Sequence, residues 1–278
     1  WQKDMKEHIT IIGAGNLTMS ILEAIKRSRA KFTINVVDID KKKSSQLKKF
    51  GVKLNTTYDD EISKSKLILL IVKPKDYTQA LKSINPYVNS QTIILSFIAG
   101  ISVNQIEKLL ATDVNIVRCM TNLAISERQS YVFYFMKKGS KKVVDKINKF
   151  LLTFSTTKKC SEENHINKLT ALYGSGPAYY IFFNSIIKKS FEQMGFNKKE
   201  SDNYTHSLML DSSELLGISD SQYLLKAIAS KGGTTEAALS QLKKDKVDLS
   251  VRRAVQQAYK KSKKISVSYT HLRAHETS

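Results

Sequence analysis

The apolar positions of this chain fall into two regimes, strand-like runs alternating with helical periodicity in the first half and helical periodicity alone in the second. Residues 8–12 make a short strand pattern that runs directly into Gly13-Ala14-Gly15, after which Leu17, Ile21, Leu22 and Ile25 recur at helical spacing. Residues 32–37 are a β-branched run ending at Asp38, and a lysine-rich helical stretch over 41–50 leads to Gly51. Residues 67–72 and 92–97 read as fully buried strands, the first stopping at Lys73-Pro74 and the second at Ala99-Gly100. A short helix is expected over 103–110, with further strands over 114–119 and 131–136. This alternation predicts an α/β fold, a doubly wound parallel sheet with helices on both faces.

Near residue 157 the pattern changes. From 162 to 264 there is only helical periodicity, broken at Gly174-Ser175-Gly176-Pro177, Gly195, Gly217 and Gly232-Gly233. Pro177 suits the first turn of a helix, where its missing N–H is harmless. Residues 178–194 are apolar on more than one face, so this helix must be buried in a bundle core or against another subunit. The expected division is a sheet domain over 5–156 and an all-helical domain over 157–266. Both ends read as foreign to the fold. Met5 is a plausible natural start, and in 267–278 (VSYTHLRAHETS) the lysines stop and two of the five histidines appear, as in a non-native tail.

Composition narrows the classes. The 278 residues suit one or two domains, and 41% hydrophobic with 25% charged residues is ordinary for a globular chain. The apolar runs are far shorter than the ~18–20 residues that span a bilayer, and no signal stretch opens the chain, so no membrane partner is expected. Cys119 and Cys160 sit in no metal-ligand spacing with His, so no metal is expected and a cytoplasmic protein with free thiols is the reading. A net charge of +20 invites a nucleic-acid partner. The surplus is lysine, however, spread along both domains without an aromatic-interleaved patch. It reads as a background field that attracts small anions, with no nucleic-acid partner.

The chemistry begins at Gly13-x-Gly15. A strand-to-helix turn of this kind lets backbone N–H groups approach a pyrophosphate, although the same turn also occurs without a ligand. The third small position is Thr18, which is expected to loosen helix–strand packing slightly. Asp38, at the end of the second strand, can accept hydrogen bonds from the adenosine ribose and repel a 2′-phosphate, favouring NADH over NADPH. Lys41, Lys42 and Lys43 act in the opposite sense or form a solvated helix start. The turns after residues 72 and 99 follow buried strands and line the same crevice, where open α/β sheets bind ligands.

Beyond these residues the chain resembles the pyrroline-5-carboxylate reductase family. The likeness is carried by IIGAGNL (11–17), IVKP (71–74), SFIAGISVNQIEKLL (96–110), VRCMTN (117–122), GSGPAYY (174–180), MGFNKKES (194–201) and SKGGTT (230–235), and extends from about residue 9 to 265. It implies a Rossmann-type sheet domain with an all-helical dimerisation domain, and hydride transfer from NADPH or NADH to the C=N bond of Δ1-pyrroline-5-carboxylate, a cyclic imino acid, giving L-proline. It further implies a homodimer or an oligomer of dimers, with a substrate pocket that includes both chains.

By the same likeness, Ile12, Gly13, Ala14, Gly15, Asn16 and Leu17 hold the pyrophosphate and Asp38 meets the ribose. Ile71, Val72, Lys73, Pro74, Phe97, Ile98, Ala99 and Asn122 contact the cofactor toward the nicotinamide. Thr235 stands where a hydroxyl meets the ring nitrogen, Ser230 with Gly233 and Thr234 cradles the substrate carboxylate, and Ser175 adds to the substrate side. Elementary chemistry agrees, since residues 230–235 precede a helical run whose N-terminus can receive a carboxylate, and a hydroxyl can donate to an imine nitrogen as it gains basicity.

The chain departs from the family at several motif positions. Leu123 and Ala124 replace a hydroxyl and a proline, Lys231 replaces a proline, Ala227 an amide, Tyr58 an asparagine, and Tyr173 a small residue. These leave open a slow or altered-substrate paralogue. They also leave a β-hydroxyacid-type enzyme using Lys168 or Lys188, and a non-catalytic binding protein.

Overall fold

Strands buried on both sides need apolar residues at consecutive positions, and that requirement organises the sheet. This computed structural model describes residues 7–127 and 130–271, with side chains through residue 265; Met5 and residues 272–278 of the expected tail lie outside them. The strands are β1 (Glu7–Ile12), β2 (Phe32–Val37), β3 (Leu54–Asn55), β4 (Leu67–Leu70), β5 (Ile93–Ser96), β6 (Asn115–Met120), β7 (Tyr131–Met136) and β8 (Thr156–Lys159). They form one sheet in the order β3-β2-β1-β4-β5-β6-β7-β8. The pairings are parallel except β6 with β7, which runs antiparallel from Val117 opposite Met136 to Met120 opposite Phe133.

Alternate residues of each strand serve opposite faces. Ile9, Ile11, Leu67, Leu69, Ile93, Leu95 and Val117 pack on one side with α1 (Asn16–Ser28) and, farther along, α5 (Lys141–Leu152). Ile12, Ile68, Leu70, Ile94 and Ile116 pack on the other with α3 (Tyr77–Ile84) and α4 (Val103–Glu107), while the short α2 (Ser44–Leu47) contributes Leu47 to the first side. The doubly wound expectation therefore holds, with two strands, β7 and β8, running opposite to the other six.

Local details differ from the pattern. Of residues 41–50 only α2 is α-helical, flanked by tight turns over Lys41–Lys43 and Lys48–Phe50. Leu47 is the one buried side chain there, too small an apolar stripe to hold a full helix. The helix expected to residue 110 ends at Glu107 after a capping box from Ser102 and Gln105. The strand β8 (Thr-Thr-Lys-Lys) has no apolar alternation to announce it and exists by pairing with β7. Lysines on such an edge also discourage further strand addition.

The chain divides into two compact units, one of residues through Ser175 together with those from Ala258, the other Gly176–Gln257. The first unit adds α6 (Glu163–Leu169) and a π-helical turn over Thr170–Gly174. The second holds α7 (Gly176–Gln193), α8 (Lys198–Ile218), α9 (Ser221–Ile228), α10 (Thr234–Lys244) and the start of α11 (Val247–His271). It has almost no core of its own. Helix α7 buries only Gly176, α8 only Ser201 and Thr205, and α9 and α10 bury nothing, while Ile181 is 68% and Phe182 62% exposed. Among the described residues no helix is long and apolar enough to cross a membrane.

Candidate functional site

The sheet changes winding direction between β1 and β4. From β1 the chain moves to β2 and β3 on one side, then returns to β4 on the other. Ligand crevices of open α/β sheets lie at such a switch, outside the carboxyl ends of the strands. Gly13 stands at the end of β1 with φ +100°, and a Cβ there would lie 2.5 Å from the Ile71 carbonyl oxygen, so only glycine fits. Its N–H donates to the Val37 carbonyl at 2.8 Å, and the Ile71 N–H donates to the Ile12 carbonyl at 2.8 Å. The turns after β1 and β4 are thus held together at the crevice.

Gly15 is the N-cap of α1, and nothing lies within 4 Å of the place its Cβ would take. The first turn, beginning at Asn16 and Leu17, has no side-chain cap and no acidic residue. Its N–H groups, without intrahelical partners, face an open space suited to a phosphate anion. These residues fit a dinucleotide pyrophosphate. Thr18 does not loosen the packing as expected. It is fully buried, and its hydroxyl donates to the Gly13 carbonyl at 2.6 Å, so the larger side chain closes the turn it was expected to open.

Asp38 follows β2. One carboxylate oxygen accepts the Ala14 N–H at 2.7 Å and the other the Asp40 N–H at 2.9 Å. The carboxylate braces the glycine turn and keeps lone pairs for a further donor. The Tyr58 phenol is pushed above its ordinary value, first by burial and second by the charge of Asp38. Tyr58, the residue in place of the family asparagine, therefore shares the Asp38 end of the crevice. Lys41, Lys42 and Lys43 start the next turn, capped by Asp40.

After β4, Ile71 and Val72 are half-buried, Lys73 is exposed and Pro74 opens a tight turn. After β5, Phe97 and Ile98 are buried and Ala99 is half-buried. Gly100 has φ +76°, and a Cβ there would meet the Ser262 carbonyl oxygen at 2.7 Å. The late part of α11 thus lies directly on this loop. The Ser262 hydroxyl donates to the Asn167 carbonyl and the Tyr259 hydroxyl to Asn164.

A charged clasp sits below, at an arginine that the VRCMTN motif contains but to which the sequence assigned no role. Arg118 of β6 is 2% exposed; it donates to Glu163 at 2.9 Å and to Asn167 at 3.0 Å, and the same Glu163 oxygen accepts the Val103 N–H at 2.8 Å. Burial lowers the Arg118 value, opposed by Glu163. A lone arginine inside an otherwise apolar strand was the only signal. Asn122 holds the next loop. Its carbonyl accepts the Ala124 N–H and the Ser130 hydroxyl, and its amide donates to the Tyr173 carbonyl. Tyr173 accepts the Tyr131 N–H on its hydroxyl at 2.7 Å and packs edge-on against Phe133, so the large residue preceding Gly174 ties the π-helical turn to β7. Leu123 and Ala124 are exposed. Ser175 closes the π-helical turn, its N–H and hydroxyl both donating to the Thr170 carbonyl.

In the helical unit, residues 230–235 form the approach to α10. Gly232 has φ +70°, and its N–H donates to Glu236 at 2.7 Å. The Gly233 N–H donates to the Ser230 carbonyl, and a Cβ on Gly233 would meet the Ser230 Oγ at 2.6 Å. The serine side chain therefore folds over Gly233 and would have to turn away if that residue carried a Cβ. Gly233, and not a threonine, is the N-cap, leaving Thr234 and Thr235 in an uncapped first turn. The Thr235 hydroxyl has no hydrogen-bond partner among the described residues. Lys231 and Ala227 are exposed.

Other chemistries find little here. Both cysteines are free and buried, and burial pushes both thiols up. Among the described residues no group of His, Cys, Asp and Glu could hold a metal ion. Lys188 is bonded to Asp202, which raises its value, the opposite of what a lysine base needs.

Comparison with known proteins gives concordant likenesses. Residues 163–265 match the family described as pyrroline-5-carboxylate reductase dimerisation, and residues 8–100 match NADP oxidoreductase, coenzyme F420-dependent. The pyrroline-5-carboxylate reductase of Staphylococcus haemolyticus is 27% identical over 93% of this chain and 97% of its own length. That of Staphylococcus aureus is 29% identical over 84% and 89%. The crystal structure of the Plasmodium falciparum pyrroline carboxylate reductase with NADP bound shares the fold with a TM-score of 0.84, at 21% identity over 96% of this chain and all of that one.

Proposed function

We propose that the chain is a member of the pyrroline-5-carboxylate reductase family and that it reduces the C=N bond of Δ1-pyrroline-5-carboxylate to give L-proline, using a nicotinamide dinucleotide. The observation that carries this reading is the pair of uncapped helix starts behind glycine turns, at Gly15 and at Gly233. Each is suited to an anion, one to a pyrophosphate and one to a carboxylate. The bound dinucleotide supplies the hydride; this chain's residues bind, orient and supply the proton.

We assign the pyrophosphate to the turn from Ile12 to Leu17, braced by Asp38 and Thr18. The turns at Ile71, Val72, Lys73 and Pro74 and at Phe97, Ile98 and Ala99 flank the nicotinamide side, and Asn122 acts there by fixing its own loop. In the helical unit the carboxylate is received by the N–H groups of Thr234 and Thr235 with the Ser230 hydroxyl, because the Gly233 N–H is already engaged by Ser230. Ser175 lies toward the substrate side. The free Thr235 hydroxyl donates to the ring nitrogen as that atom becomes an amine, by direct transfer or a water relay. Helices that bury almost nothing within one chain fit a homodimer built through this unit.

The carboxylate of Asp38 at the adenosine end favours NADH over NADPH through repulsion of a 2′-phosphate. Steady-state reduction with both cofactors on one preparation tests the whole reading. Proline formation with a higher kcat/KM for NADH is expected, and none with either cofactor from folded protein overturns the assignment. Thr235→Ala should lower kcat/KM by about 10²-fold while leaving the dinucleotide Kd within about twofold, as for loss of one proton donor.

A further inference from the structure

Away from the cofactor crevice, the far edge of the sheet carries a cleft of about 440 Å³ between β8 and α6. In the strand order this edge is five steps from β1, roughly 24 Å at the usual strand spacing. Its floor is apolar. Phe133 and Leu169 are half-buried on a small core of Met120, Cys160 and Ile166. Its rim is cationic, with Lys158 and Lys159 from β8 and Lys168 and His165 from α6. Lys158 lies opposite Phe133 in the β7–β8 register, which puts its ammonium stem on the same face as the ring. Among the described residues none of the three lysines pairs with a carboxylate, and Glu162 stands 3.9 Å from His165.

Unpaired ammonium groups around one apolar floor repel one another until an anion enters, and a floor of this kind excludes a bare, strongly hydrated ion. We propose that this cleft binds a small amphiphilic organic acid. Its carboxylate sits between Lys158 and Lys168, and its apolar body lies on Phe133 and Leu169. The volume lies within the range of small-molecule sites. Cys160 belongs to the floor and takes no chemical part, since burial raises its thiol despite Lys158 nearby.

Titration calorimetry on the full chain tests this with three probes: 4-phenylbutyrate, its neutral amide and inorganic phosphate. The expected result is saturable binding of one 4-phenylbutyrate per chain, weakened by added salt. In the Lys158→Ala/Lys168→Ala double variant the affinity should fall about tenfold, the scale of two exposed charge contacts. Lys138→Ala, which removes a lysine bonded to Asp113 outside this cleft, should bind as the parent does. Circular dichroism establishes that the double variant is folded. Equal binding of the amide, equal binding of phosphate, no binding at all, or an affinity indifferent to the two lysines would each overturn the proposal.

Discussion

At the scale of single residues, the crevice depends on positions where one atom more or less changes the backbone. Gly13 combines a left-handed φ with a neighbouring carbonyl 2.5 Å from where a Cβ would sit. Gly13→Ala therefore meets both strain and a clash with backbone, which cannot rotate away. A loss of about 3 kcal/mol of stability is expected, at the upper end of single-residue strain, with loss of dinucleotide binding. Denaturant unfolding and cofactor titration of the variant check both. A midpoint equal to the parent's would show that the turn tolerates a side chain. Thr18 makes the reverse point. A hydroxyl in place of the usual small residue found its own partner in the Gly13 carbonyl, so the motif's departure became a brace. That outcome depends on a distance, and spacing along the chain does not contain it.

At the scale of elements, the Arg118–Glu163 pair joins β6, α4 and α6 beneath the loop after β5. Arg118 is nearly without solvent, while Glu163 is 27% exposed, so solvent screens part of the pair. Glu163→Gln keeps the shape and removes the charge that compensates the buried guanidinium. A cost of about 2 kcal/mol is expected, below the value for a fully enclosed pair because of that exposure. Thermal or denaturant unfolding measures it, and a variant as stable as the parent would show that the pair contributes no net charge compensation. The short helices and β8 belong to the same scale. They form where neighbours complete them, as β7 does for β8, and their own residues carry little signal.

At the scale of the whole molecule, the two units differ in how they are stabilised. The sheet unit has buried clusters on both faces. The helical unit presents Tyr180, Ile181, Phe182 and Leu225 to the outside, at exposures of 50% or more. A surface of that size on helices with almost no core calls for association. Sedimentation should show a dimer in the parent protein, and Phe182→Asp should shift it toward monomer by placing an unpaired charge in the contact. A parent that sediments as a monomer, or a variant that remains fully dimeric, would show that α7 is not the joining surface.

What the amino-acid order determined by itself was the class of each segment. Apolar runs of four to six residues placed six of the eight strands, since burial on both faces leaves no polar position to hide them. Glycines at turn positions marked both helix starts that suit anions. Tertiary structure alone decided the rest: the antiparallel β7, the edge strand β8, the folding of Ser230 over Gly233, the engagement of both Asp38 oxygens, and the clasp at Arg118. Most of these rest on contacts between residues far apart in the chain, and the local ones, Ser230 with Gly233 and Asp38 with Asp40, on a turn geometry that spacing alone does not give. The lack of a core in the helical unit belongs with them. Helical periodicity shows which residues are apolar, but only the packed chain shows which of them it leaves uncovered.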